Sequence, residues 1–158
     1  MIVKKLPILF AFVLCISTFA VSAQRNVTPA IDREPRLEAD AKGHLEVAWQ
    51  GFGPAKKASK QVLGRFEETY AAYPDFSKID EFLYLAGMSS YYLSKNQGKQ
   101  KVNLKIEKEK EKYDPAKLRE NAVAYLSLML EKNPESKYKA DAEKVLAELV
   151  PDKTAVKN

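Results

Sequence analysis

Residues 113–149 read YDPAKLRENAVAYLSLMLEKNPESKYKADAEKVLAEL, and this stretch decides the fold. Apolar residues recur every three to four positions on both sides of Pro134, which is the spacing of one face of an α-helix. Proline cannot continue the helical hydrogen-bond ladder, so the Asn133–Pro134 step marks a turn. The stretch therefore predicts a hairpin of two helices.

The same periodicity continues through most of the chain and predicts five helices. Pro115 suits the first turn of the fourth helix. Ser77 and Ser136 are predicted N-caps, and Asp80 would complete a capping box with Ser77. The third helix is apolar on nearly all sides, which is typical of a helix buried between neighbours. The predicted helices span 36–50, 55–72, 78–94, 115–132 and 136–149.

Two parts of the chain repeat one pattern around a proline turn. Before the turns, the pattern recurs at an offset of 60 positions, and beyond them at 59. Such self-similarity is typical of stacked helical hairpins. It pairs the third helix with the fourth, so residues 86–90 should pack against the apolar stripe of 118–129. The aligned residues are Val62, Phe66, Thr69 and Pro74 with Ala122, Leu126, Met129 and Pro134, then Ser77, Ile79 and Leu83 with Ser136, Tyr138 and Ala142.

A lysine-rich insert at 95–114 separates the two helices of that hairpin. Between 95 and 112 it holds seven lysines and three glutamates. The alternating charges at 107–112 favour a solvated helical extension or a mobile loop. The functional alternative is a basic lever that touches lipid or a partner protein. Removing about two dozen residues here would restore the roughly 34-residue period of tetratricopeptide repeats.

The N-terminal 23 residues have the pattern of a signal peptide. Lys4 and Lys5 precede an apolar run at 6–21, and small residues follow it. A retained transmembrane anchor is the alternative, whereas a lipoprotein signal is not favoured because Cys15 lies within the run. The chain therefore divides into a signal peptide (1–23), a flexible leader (24–35), a helical domain (36–150) and a polar tail (151–158), and we expect export to the periplasm.

The residue types after position 23 argue against an enzyme. No cysteine occurs there, and His44 is the only histidine. The commonest thiol, triad and zinc arrangements therefore have no ligands or nucleophile. The formal net charge of +5 is mild and shows no clustering typical of nucleic-acid binding. We predict no catalytic residue, no metal site and no cofactor.

Binding is the function that the pattern favours. Stacked hairpins leave a concave surface that can hold an extended peptide. Tyrosine suits recognition because it offers apolar area and a hydroxyl group. Core packing is the alternative role for most of the tyrosines. The predicted partner-binding residues are Tyr84, Tyr91, Tyr92, Asn121 and Tyr125.

Three segments resemble the tetratricopeptide-like domain of the BamD/YfiO outer-membrane assembly lipoproteins. They are ETYAAYP at 68–74, FLYLAGM at 82–88 and NPESKY at 133–138, within a resemblance that covers 56–149. The resemblance implies an all-α, tetratricopeptide-like superhelix of stacked antiparallel hairpins. It also implies a periplasmic scaffold that recognises envelope proteins or unfolded outer-membrane protein segments, with a peripheral contact to the outer membrane.

The chain departs from that family in two respects, because it lacks the lipid-bearing cysteine and has about half of the repeats. Only the fold and the binding role are therefore carried over. Two other functions stay open at this stage. One is a self-associating structural subunit of the envelope, and the other is a carboxylate-dependent hydrolase of envelope polymers.

Overall fold

The computed structural model describes residues 34–150. The predicted signal peptide, the polar tail and nearly all of the leader lie outside the described residues. The described part contains helices and no strand, which confirms the prediction of an all-α helical-hairpin fold. The helices are α1 Pro35–Phe52, α2 Ser59–Ala72, α3 Ile79–Ser94, α4 Glu107–Lys112, α5 Pro115–Lys132 and α6 Lys139–Leu149.

The two hairpins are α1 with α2 and α3 with α5, and α6 packs against the second hairpin. Gly51 near the end of α1 lies against Val62 near the start of α2, so these helices are antiparallel. Asp80 at the start of α3 accepts a hydrogen bond of 2.7 Å from Asn133 at the end of α5. Helices α3 and α5 therefore pack together although the insert separates them in sequence, as the repeat predicts.

Helices α1, α3 and α6 run in the same direction. Glu38 near the start of α1 accepts hydrogen bonds from Ser77 just before α3. Farther along, α3 meets α6 in the same order, since Tyr84 contacts Asp141 and Tyr91 contacts Glu148. These three helices form one side of the domain, and α2 and α5 form the other.

The most extensive interface in the described residues joins α3 to α5. Its centre is Gly87, where an added Cβ would lie 2.6 Å from Cγ of Leu126. Leu126 is fully buried. The absence of a side chain at Gly87 allows this close approach and offsets the helix-propensity cost of glycine. The prediction that 86–90 packs against 118–129 is confirmed.

The two proline turns have the same backbone hydrogen bonds at a constant offset of 60 positions. Tyr73 N bonds Thr69 O and Asn133 N bonds Met129 O, at 2.8 and 2.9 Å. The predicted change to an offset of 59 beyond the turns is wrong. The buried residue equivalent to Ser136 is Phe76 and not Ser77, because three further pairs of backbone hydrogen bonds keep the offset of 60. These pairs are Phe76 to Tyr73 with Ser136 to Asn133, Ile79 to Phe76 with Lys139 to Ser136, and Phe82 to Lys78 with Ala142 to Tyr138.

The capping predictions for the two serines are also wrong. The N-cap positions of α3 and α6 are Lys78 and Tyr138, and neither side chain makes a capping bond. Ser77 instead donates to the carboxylate of Glu38, a partner distant in sequence. Ser136 Oγ accepts from Tyr138 N at 3.3 Å within the turn itself.

Helix α5 begins as predicted. Pro115 occupies its first turn, and the Asp114 carboxylate caps it. The carboxylate accepts from the amides of Ala116 and Lys117 at 2.9 and 3.0 Å. Helix α2 begins four residues later than predicted, because 53–58 form a turn in which Lys57 has a φ of 45°.

The insert folds back onto the first hairpin. Lys60 on α2 donates to the carbonyl of Lys101 at 2.7 Å and to the carboxylate of Glu109 at 2.9 Å. Gly98, whose φ is 94°, lies so close to Lys57 O that an added Cβ would be 2.9 Å from it. The predicted helical extension corresponds to the short helix α4, while 95–106 are not helical.

Candidate functional site

Six aromatic side chains meet on the side formed by α1, α3 and α6. Tyr84 and Tyr138 stack with ring centroids 4.3 Å apart and an interplanar angle of 11°. Trp49 lies 5.5 Å from Tyr138, measured between ring centroids. We call the surface that these residues line the aromatic groove. Its aromatic residues are Trp49 and Phe52 of α1, Tyr84, Tyr91 and Tyr92 of α3, and Tyr138 before α6.

The aromatic groove contains two adjoining cavities. One, of about 330 Å³, lies between α3 and α6. The other, of about 540 Å³, lies between α1 and the start of the insert. Phe52, Tyr92 and Gln97 line both cavities, so the groove is continuous.

Two of the three α3 tyrosines donate hydrogen bonds to carboxylates of α6. Tyr84 Oη donates to Asp141 Oδ2 at 3.3 Å, and Tyr91 Oη donates to Glu148. Lys95 also contacts Glu148, with its Nζ 2.6 Å from the carboxylate. These bonds fix the rings of Tyr84 and Tyr91, and both residues line the cavity between α3 and α6.

A third carboxylate lies at the other end of the aromatic groove. Glu81 accepts from Trp49 Nε1 at 3.0 Å and from Tyr138 Oη at 3.4 Å. Its neighbour Lys78 is 3.9 Å away. The polar atoms of Trp49 and Tyr138 thus share one carboxylate, and the half-buried rings of Phe52, Tyr91 and Tyr92 supply apolar surface.

The pKa shifts identify the protonation states of the groove. Burial, followed by the charge of Asp141, raises the pKa of Tyr84, and burial also raises that of Tyr92. Both phenols therefore stay protonated, and Tyr84 is a hydrogen-bond donor. Hydrogen bonds from Lys95 and Tyr91 lower the pKa of Glu148, so this carboxylate stays ionised. An ionised carboxylate of this kind binds and orients, and it does not serve as a general acid.

The structure brings together three of the five predicted binding residues. Tyr84, Tyr91 and Tyr92 all line the aromatic groove. Tyr125 lies on the opposite side of the domain, where its ring is 4.9 Å from that of Phe66. Asn121 is a half-buried residue of α5, which is not one of the three groove helices. The five predicted binding residues therefore do not form one site, because Asn121 and Tyr125 lie apart from the three groove tyrosines.

Sequence reasoning missed three residues of the aromatic groove, namely Trp49, Phe52 and Tyr138. Each lies on or beside an apolar stripe, and a stripe alone does not distinguish a core residue from one at the rim of a groove. The parallel direction of α1, α3 and α6 is the signal that identifies them. The stacked-hairpin prediction implies that arrangement, because successive first helices lie side by side.

His44 has a structural role in the described chain. Its Nδ1 lies 3.0 Å from Thr69 Oγ1, and the Thr69 hydroxyl donates to Arg65 O at 2.9 Å. Since that proton is used, His44 Nδ1 is the donor of the first bond. Within residues 34–150, no group of three or more His, Cys, Asp or Glu is placed to hold a metal ion. Nor does this part of the chain include a helix long and apolar enough to cross a membrane.

A comparison of this chain with protein-family models, with curated proteins and with solved structures finds no significant match. The geometry nevertheless defines a class: an all-α protein of antiparallel helical hairpins with an aromatic groove along its parallel helices.

Proposed function

We propose that this chain is an exported, non-enzymatic scaffold that binds an extended segment of a partner protein in the periplasm. The observation that carries the proposal is the aromatic groove, in which carboxylates hold Tyr84 and Tyr91 and aromatic side chains line cavities of about 330 and 540 Å³. Fixed aromatic rings offer contact area at low entropic cost, which is why tyrosine and tryptophan recur in binding sites.

Polar groups along the aromatic groove suit a peptide backbone. Gln97 and Lys144 line its cavities. Within residues 34–150 neither side chain makes a hydrogen bond, so both are free to meet backbone carbonyls of a ligand. An extended segment exposes its backbone carbonyl groups at regular spacing, whereas a helix pairs them with its own N–H groups. The groove thereby fits an unfolded or extended partner better than a folded helix.

The class of partner follows from the resemblance to outer-membrane assembly scaffolds. We propose envelope proteins, and among them unfolded outer-membrane protein segments, as the ligands. Such segments alternate apolar and polar residues, since one face of each strand meets lipid. Their apolar side chains match the rings of Phe52, Tyr84 and Tyr92, and their backbone matches the polar groups of the groove.

The two other candidate functions have less support. A carboxylate hydrolase requires a general acid, and the lowered pKa of Glu148 argues against this role for that residue. Self-association through the last helix requires an apolar outer face. The exposed residues of α6 are instead mostly charged: Lys139, Ala140, Asp141, Glu143, Lys144, Ala147 and Glu148.

The test is affinity capture from an envelope extract with the parent chain and two variants. Tyr91→Ala combined with Tyr92→Ala removes the half-buried rings of the aromatic groove. Tyr70→Ala is the matched control, because Tyr70 is 37% exposed and stacks on Phe66 away from the groove. We expect a partner that the parent and the control retain and the groove variant loses. Equal recovery by all three chains would contradict the proposal.

A further inference from the structure

The insert carries a second surface that the aromatic groove does not include. Leu104 is 50% exposed and Ile106 is 49% exposed, whereas most other large aliphatic side chains of the described residues are buried or half-buried. They lie on one turn, residues 103–108, which we call the insert tip. Two half-exposed aliphatic side chains on the same turn form a small apolar patch, the kind of feature that marks interaction sites at a protein surface.

The exposure is fixed by the hydrogen bonds of the turn. Asn103 accepts from Lys105 N through its side chain at 3.1 Å and from Ile106 N through its carbonyl at 3.0 Å. Asn103 N donates to Glu109 at 2.8 Å, and Lys60 of α2 holds the same carboxylate at 2.9 Å. The turn is thus tied to the domain with both aliphatic side chains pointing outward.

Unpaired lysines flank these aliphatic side chains. Neither the ammonium group of Lys105 nor that of Lys108 has an ion pair or hydrogen bond within residues 34–150. Glu107 is the opposing charge at the insert tip, and Lys110 lies 3.6 Å from it. The insert tip therefore combines two exposed aliphatic side chains with a net positive charge.

We infer that the insert tip is an anchor for a membrane surface rich in acidic phospholipid. Leu104 and Ile106 would enter the boundary between headgroups and acyl chains, while Lys105 and Lys108 would remain at the phosphate level. Peripheral anchoring requires two such signals together, because either one alone gives weak and reversible binding. A protein partner is less favoured, since the tip lacks the aromatic and arginine side chains typical of interface hot spots.

The first test is flotation of the full chain with vesicles of phosphatidylglycerol and phosphatidylethanolamine, compared with vesicles of phosphatidylcholine. Mass spectrometry of each preparation ensures that all variants have the same N-terminus, and circular dichroism ensures that all are folded. Each lysine at the surface changes the partition coefficient about fivefold, so Lys105→Gln with Lys108→Gln should lower it about 25-fold on acidic vesicles. Lys132→Gln with Lys139→Gln removes the same charge at the α5–α6 turn and should have little effect.

The second test reports on the insert tip alone. Leu104→Trp should be quenched by doxyl-labelled lipids in acidic vesicles, whereas Leu37→Trp, at another exposed leucine, should not. Leu104→Ser with Ile106→Ser should lower the partition coefficient by about tenfold or more. The inference is overturned if Leu104→Trp is not quenched, or if the lysine pair and its control lower partition equally. It is also overturned if the tip variants lose a captured envelope protein but still bind vesicles like the parent chain.

Discussion

Helix α3 has one closely packed side and one side that borders cavities. Toward α5 it presents Gly87, and Leu126 fills the space so closely that no Cβ fits. Toward α1 and α6 it presents Tyr84, Tyr91 and Tyr92, whose rings border open cavities. The same helix therefore contributes a filled interface and an open groove.

The difference shows how a short helical chain separates stability from binding. The Gly87 side relies on close packing, where adding one methyl group is costly. The tyrosine side relies on hydrogen bonds from Tyr84 and Tyr91 to carboxylates, and its rings border the cavities of the groove. Changes on the first side should alter the free energy of unfolding, and changes on the second should alter binding.

The largest effect on stability should come from adding a Cβ on the filled side. In Gly87→Ala, the gain of about 1 kcal/mol in helix propensity is outweighed by overpacking against Leu126, which costs about 1–3 kcal/mol. In Gly64→Ala, an added Cβ meets nothing within 4 Å. This control should be stabilised by about 0.5–1 kcal/mol. Urea unfolding of both variants measures the difference.

If Gly87→Ala and Gly64→Ala were stabilised equally, α3 and α5 would not be in close contact. The pairing of α3 with α5 would then be wrong, and so would the repeat alignment that predicts it. In a double-mutant cycle, Gly87→Ala with Leu126→Ala should lose less free energy of unfolding than the sum of the two single variants, because the contacting side chain is shortened.

The sequence predicts the filled side well, because the small residue and its partner stripe follow from helical spacing and the repeat. It does not predict how each turn is capped. Ser77 has the residue type of an N-cap, yet its hydroxyl bonds Glu38, which is 39 positions away. A partner so distant in sequence leaves no local pattern, so the capping preference of serine was outweighed by a tertiary contact.

The next effect concerns the start of α5, the helix that fills the Gly87 side. Asp114→Ala removes the carboxylate that caps two backbone amides and should lower the free energy of unfolding by about 1 kcal/mol. Glu135→Ala, at an exposed residue of the second proline turn, is the matched control and should be nearly neutral. Thermal unfolding of the two variants measures this contrast, and an equal loss in both would show that the cap does not stabilise α5.

A smaller effect should come from the groove side. Tyr84→Phe removes the hydroxyl bond to Asp141 but keeps the ring stacked on Tyr138. Asp141 is exposed and regains water, so the loss should be about 0.5 kcal/mol. A loss as large as that of Gly87→Ala would mean that the two sides of α3 do not differ in their contribution to stability. Urea unfolding of both variants in one buffer makes the comparison.

The smallest effect depends on pH. Hydrogen bonds from Lys95 and Tyr91 hold the pKa of Glu148 below its ordinary value of 4.5. A depressed pKa stabilises the folded state above 4.5, and this contribution disappears as the pH falls through the folded-state pKa. The melting temperature of Glu148→Gln should therefore lie slightly below that of the parent at neutral pH and converge with it in acid. A constant difference at all pH values would contradict the role of Glu148 as an ionised partner.

The groove side is harder to predict from sequence than the filled side. Tyr84 and Tyr125 both lie in apolar helices, yet one borders a cavity and the other packs against Phe66. Their environments differ because α1 and α6 lie beside α3, and no local spacing records that arrangement. Tyrosine identity indicates a binding role, and only the helix order determines which tyrosines have it.

The most direct test of the central claim is site-specific photo-crosslinking in the producing cell. A photoreactive phenylalanine analogue is placed at 92, in the aromatic groove, or at 70, on the opposite side of the first hairpin. We predict a crosslink to an envelope protein from position 92 and none from position 70. Crosslinks to the same protein from 70 and not from 92 would contradict it.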